Sequence, residues 1–504
     1  MKHITNIINK LWTLVKLSVL NPSKLLPLAV YVNKFPSACL LAIFIFPLSV
    51  FVSCSQEEFL PQETTALQFV VSDFPAFQDS SPELGEVAFR PEGSVLTRAI
   101  GTQDEGKTAW ANEDKILVHL YSQKYGDQAV TLTFDAENNT WESDGGTLSY
   151  LENETPTITA VYAPDCEIKE GQIALQDGKQ YGEAEYILAR TTISENSLDI
   201  NFERGRTYSR LRIAGLANQT LTVTTTDFTP AGATEVATAA YTLTTDNNGN
   251  AFLYGVFAED ATVSVKQGDV TLKDYTFTAE KNPNGTEYNK SYALDATPVI
   301  DGTLGGKSTA EESDITALVE QLKAYVDNGI TTIIVPGSKS AIITVGNITE
   351  TAIGEAIYRL SGNGNYDENN PYNGKIDLVL PDVTEIVAME FYAAFTLNSI
   401  TLPKVTTVGD GAFTGCYYLK KMTFGSVVTS IDQSNSYVFY EVGKEVDGGS
   451  CDLVLNCGQL QTEDTYKPDL ENNVWFKPSW GGNVTWKSIT LTHTGECDEC
   501  KANQ

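Results

Sequence analysis

Basic side chains and the usual catalytic residues are scarce in this chain. Of 504 residues, 34 are Lys or Arg against 65 Asp or Glu, and only three are His and three Met. The resulting formal charge of −31 repels nucleic acid and anionic membranes, which excludes a polyanion-binding role. Residues 1–54 hold five Lys and no acid, so the remainder carries 29 basic against 65 acidic side chains, a net of −36. Acidity of this kind keeps a crowded extracellular protein soluble, and that use ranks above an acid-specific ligand role. Beyond residue 54 only His119 and His493 remain, and no G-x-S-x-G, phosphate loop or H-E-x-x-H occurs. Acidic residues are too widespread to single out a glycosidase pair, and Glu311-Glu312 reads as helix-start charge. Asp246-Asn247-Asn248-Gly249-Asn250 lacks the spacing of a calcium loop and reads as a hairpin turn. Neither catalysis nor a cofactor is expected.

Long apolar runs are equally rare. The one at 38–52 follows five Lys and precedes Ser53-Cys54-Ser55-Gln56-Glu57-Glu58. A basic start, a short apolar stretch and a small residue before the break mark an export signal; the stretch is short for a spanning helix and contains Pro47. The Ser53-Cys54 junction resembles a bacterial lipoprotein signal, which implies acylation of Cys54 and a soluble, tethered remainder. The Gln-Glu-Glu that follows resembles an acidic tag for export to the cell exterior. Several acyl chains on Cys54 would give stable attachment where one anchors only marginally.

Cysteines left after this processing are Cys166, Cys416, Cys451, Cys457, Cys497 and Cys500. Cys451-x5-Cys457 with Cys497-x2-Cys500 offers four thiolates, but the first spacing is wrong for a zinc knuckle. A terminal disulfide or free thiols in a frayed tail are the competing readings. No metal site is expected.

From about 99 to 300 the pattern is β throughout. Lys115–Leu120, Val130–Phe134, Thr157–Tyr162, Arg210–Ile213, Leu221–Thr224 and Thr262–Val265 alternate or are β-branched, with turn clusters between them. Many short strands without helical periodicity argue for two β-sandwiches. Trp110-x3-Asp114-x-Ile116-x-Val118, Trp141 and Ile158–Pro164 resemble the first domain of fimbrillin-like pilins, and Leu198–Phe202, Leu211–Leu216 and Asp246–Tyr254 resemble the second. The resemblance, over roughly 67–298, implies sandwiches of transthyretin-like topology. It also implies cleavage after an arginine to expose a groove for a neighbour's strand; Arg98-Ala99 is the candidate bond. An ordinary exposed linker arginine is the alternative. On physical grounds Trp110 and Trp141 are core aromatics.

The last third repeats itself every 22 residues. Leu378-Val379-Leu380-Pro381, Val383, Ile386, Phe391, Ala394 and Leu397 recur as Ile400-Thr401-Leu402-Pro403, Val405, Val408, Phe413, Cys416 and Leu419. A third copy starts at Met422-Thr423-Phe424-Gly425 and keeps Val427. One supersecondary unit therefore stacks on itself. Thr331–Pro336, Leu453–Leu455 and Ile489–Leu491 extend the set to six parallel strands, a sheet about 25 Å wide. Ahead of it, Ile315, Leu318, Val319, Leu322, Tyr325 and Val326 share a helical face with Ser313 or Asp314 as N-cap, and a second helix spans about Glu350–Leu360. The run Leu397–Leu419 resembles the leucine-rich repeats of BspA-like bacterial surface proteins, which implies adhesion. Val379, Thr401, Thr423 and Val454 point outward as a flat, weakly polar candidate binding stripe, with Tyr417 and Tyr418 as candidate contact aromatics at the adjacent turn.

The expected fold is mainly β with a smaller α/β part: two transthyretin-like sandwiches and a leucine-rich-repeat solenoid. The expected division is signal 1–53, tether 54–98, sandwiches 99–195 and 196–300, α/β cap 301–370, solenoid 371–494 and tail 495–504. The expected role is a surface lipoprotein adhesin of the outer membrane, a pilus tip or accessory subunit. Expected partners are host or bacterial surface proteins or glycans, and other pilin subunits by strand addition; nucleic acid is not one. The alternatives are a structural pilus anchor and a glycan-binding accessory protein.

Overall fold

The computed structural model describes residues 67–84, 107–151, 153–203, 206–280, 285–337, 340–345, 348–432, 437–446, 451–456 and 486–492. Cys54, Arg98, Ala99, His493, Cys457, Cys497 and Cys500 lie outside them. Among the described residues no helix is long and apolar enough to cross a membrane.

The first eleven strands are β1 (Gln68–Val71), β2 (Gln78–Leu84), β3 (Lys115–Ser122), β4 (Gly126–Asp135), β5 (Thr140–Ser143), β6 (Thr157–Tyr162), β7 (Cys166–Lys169), β8 (Gln172–Leu175), β9 (Ile187–Leu188), β10 (Arg190–Ser194) and β11 (Ser197–Asn201). A five-stranded sheet, β5-β4-β3-β6-β9, shares a core with the three-stranded β1-β11-β10. Alternation in β3 sends Ile116, Val118 and Leu120 inward, while Leu117 packs outward under the β7–β8 hairpin. Trp110 and Trp141 meet edge to face at 4.8 Å beside this core, as their composition context predicts.

Two placements differ from the sequence reading. Leu67, Phe74 and Phe77 belong to this core, so 67–84 is folded body where a tether was expected. Ser197–Asn201, expected to open the second sandwich, pairs instead with β1 and β10 and buries Leu198 and Ile200 in the first. Alternation identifies a strand, but its partner depends on distant chain.

The second module contains β12 (Ser209–Ala214), β13 (Thr220–Pro230), β14 (Ala237–Thr244), β15 (Asn250–Phe257), β16 (Thr262–Gln267), β17 (Val270–Thr276) and β18 (Lys290–Asp295). They form one sheet, β17-β16-β13-β15-β12-β18-β2, with β14 on β13. A register shift between Thr225 and Phe228 bends β13. Its first half bonds β16 and its last residues bond β15, so one strand serves both layers around Phe228, Phe257 and Phe277. The Asp246–Asn250 turn links β14 to β15, which are not ladder partners, and this corrects the hairpin expected there. Its Asp246 carboxylate accepts from the amides of Asn248 and Asn250 at 2.8 and 2.9 Å.

The remainder contains α1 (Glu312–Asp327), β19 (Thr332–Ile334), β20 (Ile342–Val345), β21 (Ile348–Thr351), α2 (Ala352–Leu360), β22 (Ile376–Val379), β23 (Glu385–Ile386), β24 (Leu397–Leu402), β25 (Thr407–Val408), β26 (Lys421–Phe424), β27 (Ser430–Ile431), β28 (Asp452–Asn456) and β29 (Ser488–Thr492). The predicted face of α1 buries Ile315, Leu318, Leu322 and Tyr325. Its N-cap is Glu311, not Ser313 or Asp314, because Asp314 serves as the reciprocal partner in a capping box. Strands β19-β22-β24-β26-β28-β29 form a six-stranded parallel sheet, and β23-β25-β27 form a second parallel sheet.

Leu378 pairs with Ile400 and Ile400 with Met422, each 22 residues on. Inward residues of the first sheet meet a wall made by Ile386, Val408 and the stacked rings of Phe391, Phe413 and Phe439, spaced 5.7 and 6.0 Å apart. The third copy slips by one residue. Val428, not Val427, is buried, and Val408 pairs with Ile431. Gly425 replaces the proline that ends the earlier strands and lies against Pro403, where a Cβ would come within 2.8 Å of the carbonyl oxygen.

Candidate binding surface

Strand alternation leaves two outward rows on the six-stranded sheet. Val379 lies beside Thr401, Thr401 beside Thr423 and Thr423 beside Val454. Buried Ile334 closes one end of the row and exposed Thr490 the other. The four sequence-chosen positions thus form one continuous ladder, half-buried and uncharged. The neighbouring row runs Asp377, Ser399, Lys421, Asp452 and Ser488. Its polar groups are largely tied to one another. Ser399 Oγ and Asn398 Nδ2 donate to Asp377 Oδ1 at 2.6 and 2.7 Å, and Ser488 Oγ donates to Asp452 Oδ1 at 2.6 Å.

Tyr417 and Tyr418 are off this ladder, in the turn that feeds β26. Tyr366, from the loop after α2, joins them. Its ring lies 6.3 Å from Tyr418 at an interplanar angle of 28°, and the two hydroxyls are 3.0 Å apart. Tyr417 and Phe395 each approach Tyr366 edge-on at 5.3 Å. Tyr417 Oη donates to Glu441 Oε2 at 2.9 Å, and Lys444 Nζ pairs with Glu441 Oε1 at 2.8 Å. The shared hydrogen bond raises the Tyr366 phenol, and burial followed by the Glu441 bond raises that of Tyr417. Phe395 stands 22 residues before Tyr417, so the repeat contains the signal for it. Tyr366 lies outside the repeat in a polar loop and carries no such signal.

A second group gathers at the start of α2. The Thr351 hydroxyl donates to Glu390 Oε1 and accepts from the amide of Gly354 at 3.1 Å. Glu390 Oε2 is buried without a hydrogen-bond partner among the described residues. Burial, with the nearby Glu350 carboxylate adding to it, pushes Glu390 up to about 7. Glu350 is likewise pushed up to about 7 by burial and by its bond to Glu355. Arg359 neutralises this end, bonding Glu355 at 2.5 Å and Glu312 at 2.8 Å.

Chemistry elsewhere is sparse. His119 Nε2 lies 2.9 Å from Asp127 Oδ1 on the rim of a strand. A cleft of about 370 Å³ in the first sandwich is lined by Glu113, Lys115, Thr131, Glu167 and Gln176. Burial pushes the thiol of Cys166 in its wall up to about 11, which keeps it protonated and a poor nucleophile at neutral pH. Cys416 sits in the repeat core, its Sγ donating to the Phe391 carbonyl at 3.1 Å. Cys451 is buried too, with its thiol pushed up to about 12 by burial. Among the described residues no group of three or more His, Cys, Asp or Glu is placed to hold a metal ion.

No family model and no curated protein matches the chain. Among solved structures, a candidate cell adhesion protein from Bacteroides fragilis is 11% identical at a TM-score of 0.24, covering 46% of this chain and 92% of that one. A candidate cell adhesion protein from Bacteroides ovatus is 13% identical at 0.23, with 47% and 93% covered. A fimbrial protein from Bacteroides ovatus is 9% identical at 0.22, with 46% and 49% covered. Likenesses this weak carry no weight for function.

Proposed function

We propose that this chain is a cell-surface lipoprotein adhesin, held at the outer membrane through Cys54, in which two fimbrillin-like sandwiches present a leucine-rich-repeat binding head. The observation that carries this reading is the in-register ladder Val379–Thr401–Thr423–Val454. An uncharged, half-exposed row that runs regularly along a parallel sheet is a surface for contact rather than for chemistry. The acidic, nearly His-free composition and the export signal support the same compartment and the same class. The sandwiches act as a stalk, and the role is that of a pilus tip or accessory subunit whose partners are surface proteins or glycans.

Full-length chain displayed on cells should adhere to an extracellular-matrix or bacterial-surface preparation, and Thr401→Arg with Thr423→Arg should abolish that adhesion without unfolding the protein. Unchanged adhesion would reject the ladder as the binding face. The alternative, a structural pilus component, separates by N-terminal sequencing of the mature protein: a new terminus at Ala99 marks an assembling subunit, and one at Cys54 a permanently tethered chain.

A further inference from the structure

We propose that the tyrosine patch beside the parallel sheet docks a lysine- or arginine-bearing stretch of an extracellular polypeptide. This rests on the reading of the repeat domain as a binding head and assigns the ligand chemistry of one of its surfaces.

The patch is exposed where large apolar side chains are normally covered. Tyr366 is 41% exposed and meets Tyr417 and Tyr418, while Tyr392, 38% exposed, meets Tyr358 and is near enough to Tyr417 to act on it electrostatically. Clustered exposed aromatics mark contact sites more often than scattered ones do.

Its polar groups combine carboxylate and phenol acceptors with the one hydroxyl proton that the Tyr366–Tyr418 bond leaves free. The Tyr366 and Tyr418 hydroxyls share one hydrogen bond, and the Tyr417 proton goes to Glu441. The Lys444 ammonium is paired with the same carboxylate. Exposed Glu368 and Glu445 lie close enough to Tyr366 to act on it electrostatically. The patch therefore offers phenol hydroxyl, carboxylate and ring π-density. A ligand rich in N–H groups and positive charge complements that set. A neutral sugar needs donors as well as acceptors and a broad free ring face, and one face of Tyr366 is taken by Tyr418.

The chain already contains one example of the recognition. Lys444 Nζ lies 4.9 Å from the centre of the Tyr417 ring while it pairs with Glu441. An ammonium over a phenol beside a carboxylate is the arrangement a ligand cation would repeat at Tyr366 with Glu368 and Glu445.

The test uses the full chain and fluorescein-labelled hexalysine, read by anisotropy at low and physiological salt. Hexaglutamate, a Gly-Ser hexapeptide and maltohexaose are the comparison probes. Hexalysine should bind and the other three should not. Tyr366→Ser combined with Glu368→Gln and Glu445→Gln should weaken hexalysine by about tenfold. Glu235→Gln with Glu259→Gln, which removes the same charge from exposed positions of the second sandwich, should change it less than about twofold. Tyr366→Phe keeps the ring and should retain binding within about twofold, which separates ring loss from misfolding. Equal weakening by the two charge sets would assign the affinity to general acidity and overturn the proposal. Maltohexaose binding that the patch variant loses would overturn it in favour of a glycan platform. Cell adhesion that survives the patch variant yet fails with Thr401→Arg and Thr423→Arg would overturn this ligand assignment while leaving the adhesin reading intact.

Discussion

Arg206 donates from Nη2 to Glu185 Oε2 at 2.6 Å while its guanidinium lies 3.9 Å from the centre of the Phe77 ring. Both side chains are withdrawn from water, at 1% and 10% exposure. Among the described residues, Nε and Nη1 of Arg206 have no hydrogen-bond partner, and the rings of Phe77 and, at 5.3 Å, Phe74 face the guanidinium. Phe77 lies between β1 and β2, so this pair fastens the 67–84 segment to the chain that follows β11.

Removing one partner of such a pair strands a buried charge. Glu185→Ala and Arg206→Met should each destabilise the first sandwich by about 3–5 kcal/mol, whereas Glu185→Leu combined with Arg206→Met, which replaces both charges by apolar groups, should cost less. Urea unfolding followed by tryptophan fluorescence reads this directly, because Trp110 and Trp141 border the same core. A double variant as costly as either single one would mean that the guanidinium contributes packing rather than charge.

The repeated coils set a second expectation. Gly409 donates to the Ile386 carbonyl at 2.8 Å, and a Cβ on it would come within 2.4 Å of the Ala388 amide nitrogen. Backbone cannot yield as a flexible side chain can. Gly409→Ala should therefore push adjacent coils apart and destabilise the C-terminal part by about 1–3 kcal/mol. Gly415→Ala would bring a Cβ only to 3.5 Å from Ala393 but at φ +76°, so its cost should come from backbone conformation and stay near 1 kcal/mol. Chemical denaturation of both variants tests the ranking.

How much of this was legible depended on whether a residue's partners were local. The 22-residue period located the inward residues of β22 and β24 and the outward ladder, because parallel stacking places equivalent positions side by side. Once one residue was inserted after β26 the period gave the wrong member of Val427-Val428. Strand β2, with the sequence Gln-Asp-Ser-Ser-Pro-Glu-Leu, has no apolar alternation to read; it is recognised only through its parallel pairing with β18. Glu350, Glu355 and Glu390 looked like three of many acids. Only folding brings 350 and 390 together, so no spacing rule could have found them.

That carboxylate group gives the fold a pH dependence of unusual sign. Glu390 is buried and titrates at about 7 against 4.5 for an ordinary glutamate. An acid whose folded-state value is raised stabilises the fold fully below its unfolded value, and that contribution is lost as pH rises through the folded one. The window therefore runs from about pH 4.5 to 7, and the loss is on the order of 3 kcal/mol for Glu390. Glu350, less buried, acts in the same direction. Carboxylates held low, such as Asp301 by its bonds to Thr303 and Gly305, act below this window and oppose it only in stronger acid. General repulsion among the acidic residues also grows with pH, so wild type alone does not isolate the term. Glu390→Gln does, since the amide keeps a similar shape and never ionises. The difference in stability between Glu390→Gln and wild type should rise from pH 5 to pH 8, with the variant the more stable at pH 8. A difference that stays constant across that range would place the titration elsewhere.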